Sequence, residues 1–238
     1  MDIQGKRAIV LGGTSGIGLA VTRQLEADGA SVIAASRSQS NIDQADAATG
    51  DGVSFRTVDV LDRAALAALF EEERGFDILV NAATGGERAS GPFLQMDLDG
   101  FQGSFRKLWG YTNSVRLGTA HMAPEGAITL VSGYPARKAN PGASALSTVG
   151  NAVEGFVRAI APEIAPRRIN VVSPGIIDTP MFPAEGEARQ QFLANATRNM
   201  LIKRAGTADE VASAILLTLK NDYMTGTTID VDGGALLP

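Results

Sequence analysis

The sequence predicts a single-domain α/β fold, with a doubly wound parallel sheet of about seven strands and helices on both faces. Three observations predict it. Short apolar runs rich in Val and Ile alternate with helical patterns along the whole chain. The runs are apolar at nearly every position, as strands buried on both faces require. The first run also opens directly into a glycine-rich turn that leads into an amphipathic stretch.

Taken in order, strands are expected at residues 8–12, 31–35, 53–58, 76–81, 126–132, 168–173 and 227–232. Between them, apolar residues recur at helical spacing. Ile17, Ala20, Val21 and Leu25 make one stripe, and Leu66, Leu69 and Phe70 another. One long helix is expected over about 97–122, ending at His121 and Met122. Val149, Val153, Phe156, Val157, Ile160 and Ile164 line a second long helix. A last stripe, Val211, Ile215 and Leu219, follows Thr207-Ala208-Asp209-Glu210, the pattern of a capping box. Strands alternating with helices imply right-handed crossovers. No linker, repeat or low-complexity segment interrupts the chain, so residues 1–238 read as one domain, with a mobile lid expected at about 181–200.

Composition narrows the function classes. The chain has 238 residues, 45% of them hydrophobic and 20% charged, with a net charge of −5. This is ordinary for a soluble globular domain. No basic block points to nucleic acid, and no polybasic or amphipathic stretch points to a membrane surface. No run approaches the ~20 apolar residues of a membrane span. The start, MDIQGKRAIVLGG, carries an acidic residue and no long apolar core, so a signal peptide is not expected and the setting is read as cytoplasmic. With no cysteine and one histidine, His121, a disulfide framework or a metal site is not expected.

The turn Gly12-Gly13-Thr14-Ser15-Gly16-Ile17-Gly18 joins the first strand to the first helix. Glycines suit a chain that turns sharply and must approach a pyrophosphate closely. The phosphates then meet free N–H groups at the positive end of the helix dipole. A Rossmann-type dinucleotide site follows. The second strand ends in Ser36, Arg37 and Ser38. A free ribose 2′-hydroxyl is usually held by Asp or Glu at this point. A guanidinium and two hydroxyls instead suit a 2′-phosphate, so NADP(H) is expected over NAD(H). The plain alternative for Arg37 is a solvated loop charge.

With these residues in view, the chain resembles the short-chain dehydrogenase/reductase family, in particular its ketoacyl-reductase-like members, over essentially its whole length. The glycine turn at 12–18 opens the match. Asp59-Val60 resembles the family's adenine-contacting pair. Asn81-Ala82-Ala83-Thr84 stands where the family has N-N-A-G. The segment from Ser173 through Pro174, Gly175, Ile177 and Thr179 to Pro180 looks like the family's strip beside the nicotinamide. Arg204-Ala205-Gly206, Thr225-Gly226 and Val231-Asp232-Gly233-Gly234 resemble its C-terminal part. The resemblance implies an NAD(P)-dependent oxidoreductase acting on a small molecule, a homo-oligomer (dimer or tetramer), and a catalytic set of Asn, Ser, Tyr and Lys.

All four catalytic positions depart from that set. In the ungapped frame of the helix at 97–122, the family's Asn falls on Lys107, with Gly110 preserved. The catalytic Ser falls on Gly133. Counting back from Val153-Glu154-Gly155, the helical Tyr falls on Leu146 and the Lys on Gly150. A tyrosine hydroxyl has a free pKa of about 10, and the lysine one turn away on the same face lowers it. Leu146 and Gly150 supply neither group. A glycine in mid-helix costs roughly 1 kcal/mol relative to Ala, so Gly150 is expected to face something close or large.

Tyr134-Pro135-Ala136-Arg137-Lys138 spells Y-x-x-x-K, yet Pro135, Pro141 and Gly142 make this a loop rather than a helix interior. Tyr134 and Lys138 therefore need not share a face. Tyr134 alone keeps a chemical claim, because the loop after the fifth strand overhangs the nicotinamide edge of the sheet. Dienoyl-CoA reductases of the family also lack the helical Tyr and use a loop Tyr in proton donation. Tyr134 is similar in placement, with Lys107 as a possible charge partner reaching toward position 150. The plain alternatives are a lid aromatic for Tyr134 and a packing lysine for Lys107. Ser132 is not expected to replace the missing Ser, because adjacent strand residues point to opposite faces. His121 is expected at a helix end, exposed or facing the dipole.

Two functions follow: an NADP(H)-dependent oxidoreductase with a non-standard site, reducing C=O, C=N or activated C=C, or an inactive NADP(H)-binding regulator or sensor. A lyase or isomerase using the same pocket is a third.

Overall fold

The computed structural model describes residues 1–84, 88–138, 140–182 and 184–237. Seven parallel strands form its main sheet. They are β1 (Arg7–Leu11), β2 (Ser31–Ser36), β3 (Val53–Thr57), β4 (Phe76–Asn81), β5 (Met122–Val131), β6 (Arg168–Pro174) and, after a short separate pair, β9 (Thr228–Val231). Their order is β3-β2-β1-β4-β5-β6-β9. The chain thus winds outward from β1 in one direction and from β4 in the other. The switch lies between β1 and β4, where Ala8 to Leu11 pair with Ile78 to Asn81. Ligands of such sheets bind at the carboxyl ends beside that switch.

Alternate strand residues face two cores. Val10, Ile78 and Val80 pack with Val21 and Leu25 of α1 (Gly16–Ala27) and with Val211, Ile215 and Leu219 of α8 (Ala208–Lys220). Ile9, Leu11 and Leu79 pack on the other face. There they meet Phe70 of α3 (Arg63–Glu72), Tyr111 of α5 (Arg106–Gly118) and Val153 of α6 (Ser144–Ile164). This two-sided burial is why the strands read as unbroken apolar runs. Each fully buried Val, Leu, Ile or Phe contributes about 1.5–3 kcal/mol. The capping box forms as expected: the Thr207 hydroxyl accepts from the Glu210 amide, and Glu210 answers to the Thr207 amide at 2.8 Å.

Several elements differ from the sequence expectation. The helix expected at 97–122 is two helices, α4 (Leu98–Ser104) and α5, joined at Phe105. Gly100 and Gly103 weaken helix propensity there, and Asp97 caps the first piece through the amides of Asp99 and Gly100. β5 begins at Met122, four residues before the expected start. His121 therefore sits in the turn before β5 rather than at a helix end, largely buried, with Nδ1 3.1 Å from a Glu71 carboxylate oxygen. A helix α2 (Gln39–Asp46) follows β2, and a two-stranded sheet pairs β7 (Ile177–Asp178) with β8 (Gly206–Thr207). The expected lid is largely helical, as α7 (Gly186–Thr197). Among the described residues no helix is long and apolar enough to cross a membrane, and no group of three or more His, Cys, Asp or Glu gathers as a metal site.

Candidate active site

The carboxyl ends of β1, β2, β4, β5 and β6 open onto one cavity of about 830 Å³. Its first wall is the glycine turn. Gly12 has φ +77°, and a Cβ there would come within 2.8 Å of the Ala83 amide nitrogen. A Cβ on Gly18 would collide with the Gly12 carbonyl. These positions exclude any other residue, and they let the turn lie flat against the start of α1. Ser15 takes the N-cap position of α1 without a side-chain capping bond. The first-turn amides thus keep unsatisfied donors where a negative group can approach. This cradle fits a dinucleotide pyrophosphate.

Gly12, Ser15, Gly16, Ile17 and Gly18 line the cavity, whereas Thr14 is buried beneath it. Ser36, Arg37 and Ser38 line its far end together with Asn41 and Gln44 of α2. Arg37 is exposed and, among the described residues, forms no ion pair. Ser38 is already engaged, capping α2 through the Asn41 amide at 3.3 Å. Asp59 and Val60 also line the cavity, and the Asp59 carboxylate accepts from the Leu61 amide at 2.9 Å. Val60 explains Gly110, since a Cβ on Gly110 would stand 2.5 Å from a Val60 methyl. Ala82 and Ala83 reach the cavity. Asn81 does not: it is fully buried, donating to Ser114 Oγ at 2.7 Å and accepting from the Ala83 amide. It shapes the wall from behind. Pro174, Gly175, Ile177 and Thr179 also line the cavity, with Thr179 beside Gly16.

The four positions that the resemblance assigns to the catalytic set share one cavity. Lys107, Gly133, Leu146 and Gly150 all line the cavity, and Tyr134 joins them. The residues Tyr134–Ala136 form one 3-10 turn. It is seated on α6, where Ser147 Oγ donates to the Pro135 carbonyl and Asn151 Nδ2 to the Ala136 carbonyl. What Gly150 faces is Ala136: a Cβ at 150 would lie 2.8 Å from the Ala136 Cβ and 3.3 Å from Ser132 Oγ. The space toward which Lys107 was expected to reach is therefore filled. Lys107 instead donates to the Ser132 carbonyl at 3.2 Å and lies 5.6 Å from the centre of the Tyr111 ring. Burial first, and the Arg88 charge second, hold its pKa down at about 7. Tyr134 is half-buried; burial, outweighing the nearby Asn140 side chain, pushes its pKa up.

Ser132 lies just beyond β5 rather than within it, so strand alternation does not govern it. It lines the cavity, with Oγ donating to the Gly150 carbonyl at 3.3 Å. The remaining letters of the Y-x-x-x-K stretch point elsewhere. Arg137 pairs with Asp230 and, at 3.3 Å, with Glu154, while Lys138 donates to the carbonyls of Ala235 and Leu237. The lid side is apolar, with Met181, Phe182 and Phe192 lining the cavity and the last two rings 5.1 Å apart. Arg189 staples this region, bonding Asp178 and the carbonyls of Phe182 and Thr179. Sequence reasoning missed Arg88, Asn41 and Gln44. A cation soon after the fourth strand, at the carboxyl edge, was the available signal for Arg88.

A family model described as Enoyl-(Acyl carrier protein) reductase matches residues 12–235. Human "Dehydrogenase/reductase SDR family member 4" is 31% identical over 254 residues, covering 96% of this chain and 87% of the relative. The chain is a short-chain dehydrogenase/reductase. Within that family, the "3-oxoacyl-[acyl-carrier-protein] reductase FabG" of Haemophilus influenzae is 30% identical over 247 residues, covering 99% of this chain and all of the relative (100%). A solved small-chain dehydrogenase in complex with NADPH superimposes with a TM-score of 0.84 at 30% identity, covering 99% of this chain and 100% of the other. The family's fold and the course of its sheet are thus those seen here.

Proposed function

We propose that this family member is an NADP(H)-dependent oxidoreductase with a non-standard active site, reducing a C=O, C=N or activated C=C bond of a small molecule. The observation that carries it is one cavity holding both the glycine cradle and Tyr134, on a turn that covers Gly150. Arg37, Ser36 and Ser38 at the far end suit a 2′-phosphate, and a 30% identical neighbour was solved with NADPH.

When bound, NADPH supplies the hydride. Tyr134 donates the proton to the atom that gains negative charge. Its raised pKa keeps the hydroxyl protonated at neutral pH, the form that can donate. Lys107, desolvated and fixed on the Ser132 carbonyl, places a second polarising group on the same floor. Leu146, Met181, Phe182 and Phe192 give the substrate end an apolar lining, which strengthens both effects once a substrate covers it.

The test is a fluorescence titration with NADPH and NADH, followed by 340-nm assays against ketones, imines and activated enones. NADPH is expected to bind more tightly, and Tyr134→Phe to lower turnover by about 10²–10⁴-fold while cofactor binding persists. Turnover unchanged in Tyr134→Phe would sink the assignment. A non-catalytic NADP(H)-binding regulator is the second reading. One observation favours it: with Ala136 over Gly150, α6 offers no ammonium to the cofactor ribose. Tight NADPH binding with no turnover across the panel would select it. A homo-oligomer, dimer or tetramer, in the cytoplasm belongs to the same proposal; the half-buried groove between α5 and α6, with Phe156, Ile160 and Ile164, supports the association.

A further inference from the structure

We infer that the substrate carries an oxyanion, a carboxylate or a phosphate, which Arg88 and Lys107 bind together at the substrate end of the cavity. This deepens the oxidoreductase reading and rests on it. Lys107 rises from α5, and Arg88 comes from the segment after β4; nothing local in the sequence brings them together, yet both line one cavity. Their charges act on each other, since the Arg88 guanidinium helps to hold the Lys107 ammonium down. The residue after Arg88 is fixed, because the Ala89 amide donates to Ser104 Oγ of α4 at 2.9 Å. Arg88 itself is exposed, yet burial of its guanidinium lowers its pKa.

Two cations facing one low-dielectric space repel unless an anion lies between them. Among the described lining residues Asp59 is the one carboxylate, and it pairs with neither cation; it accepts from the Leu61 amide. As an ammonium, the form an anion would favour, Lys107 gives one hydrogen to Ser132 and retains two more, and a guanidinium presents a planar fork suited to an oxyanion. The cofactor's own anions have their places elsewhere, at the start of α1 and beside Arg37 in the proposed reading. Gly133, Leu146 and Gly150, which line the same cavity, bring no further charge to it. An anionic tail held by Arg88 and Lys107 would anchor the substrate on this floor, beneath Tyr134.

The experiment is calorimetric titration of the NADP⁺-loaded protein with two matched pairs: 3-oxobutanoate against its methyl ester, and dihydroxyacetone phosphate against dihydroxyacetone. In at least one pair the anion is expected to bind about tenfold more tightly or better, and the pair that discriminates tells carboxylate from phosphate. Arg88→Gln and Lys107→Gln should each erase that preference, while Arg88→Lys should retain part of it. NADPH affinity should stay unchanged in both Arg88 variants. The inference is overturned if anion and neutral partner bind alike in both pairs. It is equally overturned if the preference survives in Arg88→Gln, or if Arg88→Gln weakens NADPH binding instead. Failure of NADPH to bind the wild-type chain would overturn the parent reading alone.

Discussion

Two glycines on one helix measure how firmly the Tyr134 turn is seated. Gly150 and Gly155 both lie within α6, so Ala at either gains the same intrinsic helix propensity, about 0.8–1 kcal/mol. Their surroundings differ. A Cβ at 155 meets nothing within 4 Å, whereas one at 150 would stand 2.8 Å from the Ala136 Cβ and 3.2 Å from its Cα. The struck atoms are not the far end of a flexible side chain. They belong to a turn tied down by Ser147 and Asn151, so relief requires moving the turn. Overpacking of this kind costs about 1–3 kcal/mol. Gly155→Ala is therefore expected to stabilise the protein by about 0.8–1 kcal/mol. Gly150→Ala should fall about 1–3 kcal/mol below it, a gap of roughly 2–12 °C in melting temperature at this chain length. Urea unfolding of the two variants at one protein concentration reads the gap directly, with propensity cancelled. A turn displaced by the added methyl should also lower turnover, and in the Gly150→Ala variant only. Equal stability of the two variants would refute the reasoning, because it would mean that Ala136 does not rest on Gly150.

Two other outcomes follow from the cavity's charged groups. Arg37→Ala should weaken NADPH by about tenfold or more and leave NADH nearly unchanged, as read by cofactor fluorescence; an equal loss for both would remove Arg37 from the 2′-phosphate site. Lys107 has a pKa of about 7 in the folded chain, against about 10.4 unfolded. Between those values the unfolded chain holds a proton that the folded chain has released, so stability rises with pH across that window. Arg88 shares this space, and the raised pKa values of Tyr111 and Tyr134 act in the opposite direction only above about pH 10. Urea midpoints from about pH 7 to 9.5 should therefore climb in the wild type and flatten in Lys107→Met. Parallel curves would show that Lys107 is not desolvated.

The parts of the fold legible in the sequence are those whose physics is local. Strands buried on both faces read as unbroken apolar runs, and the glycine turn and the capping box are written in consecutive residues. What escaped depends on competition or distance. α2 buries only Ile42 and Ala45 among polar residues, and it starts at Ser38, whose hydroxyl accepts from the Asn41 amide as its cap. Asn81 looks like a cofactor ligand by position, yet a buried amide must satisfy its hydrogen bonds, and Ser114 and Ala83 take them. Arg88 and Lys107 line one cavity only because two distant segments are folded together, which no periodicity announces.

The stretch Tyr134–Lys138 shows the same division inside five residues. A helix would place its first and fifth side chains on one face. With Pro135 at its start, the 3-10 turn sends Tyr134 into the cavity and leaves Lys138 bound to the carbonyls of Ala235 and Leu237. The middle of the stretch then acquires its purpose. Ala136 is small enough to rest on Gly150, and Arg137 ties the turn to β9 and α6 through Asp230 and Glu154. A lysine at position 150 would bring its Cβ within 2.8 Å of the Ala136 Cβ, and the turn could not sit where it does. The glycine at 150 and the tyrosine at 134 are thus two sides of one packing arrangement, and the proposed chemistry depends on both.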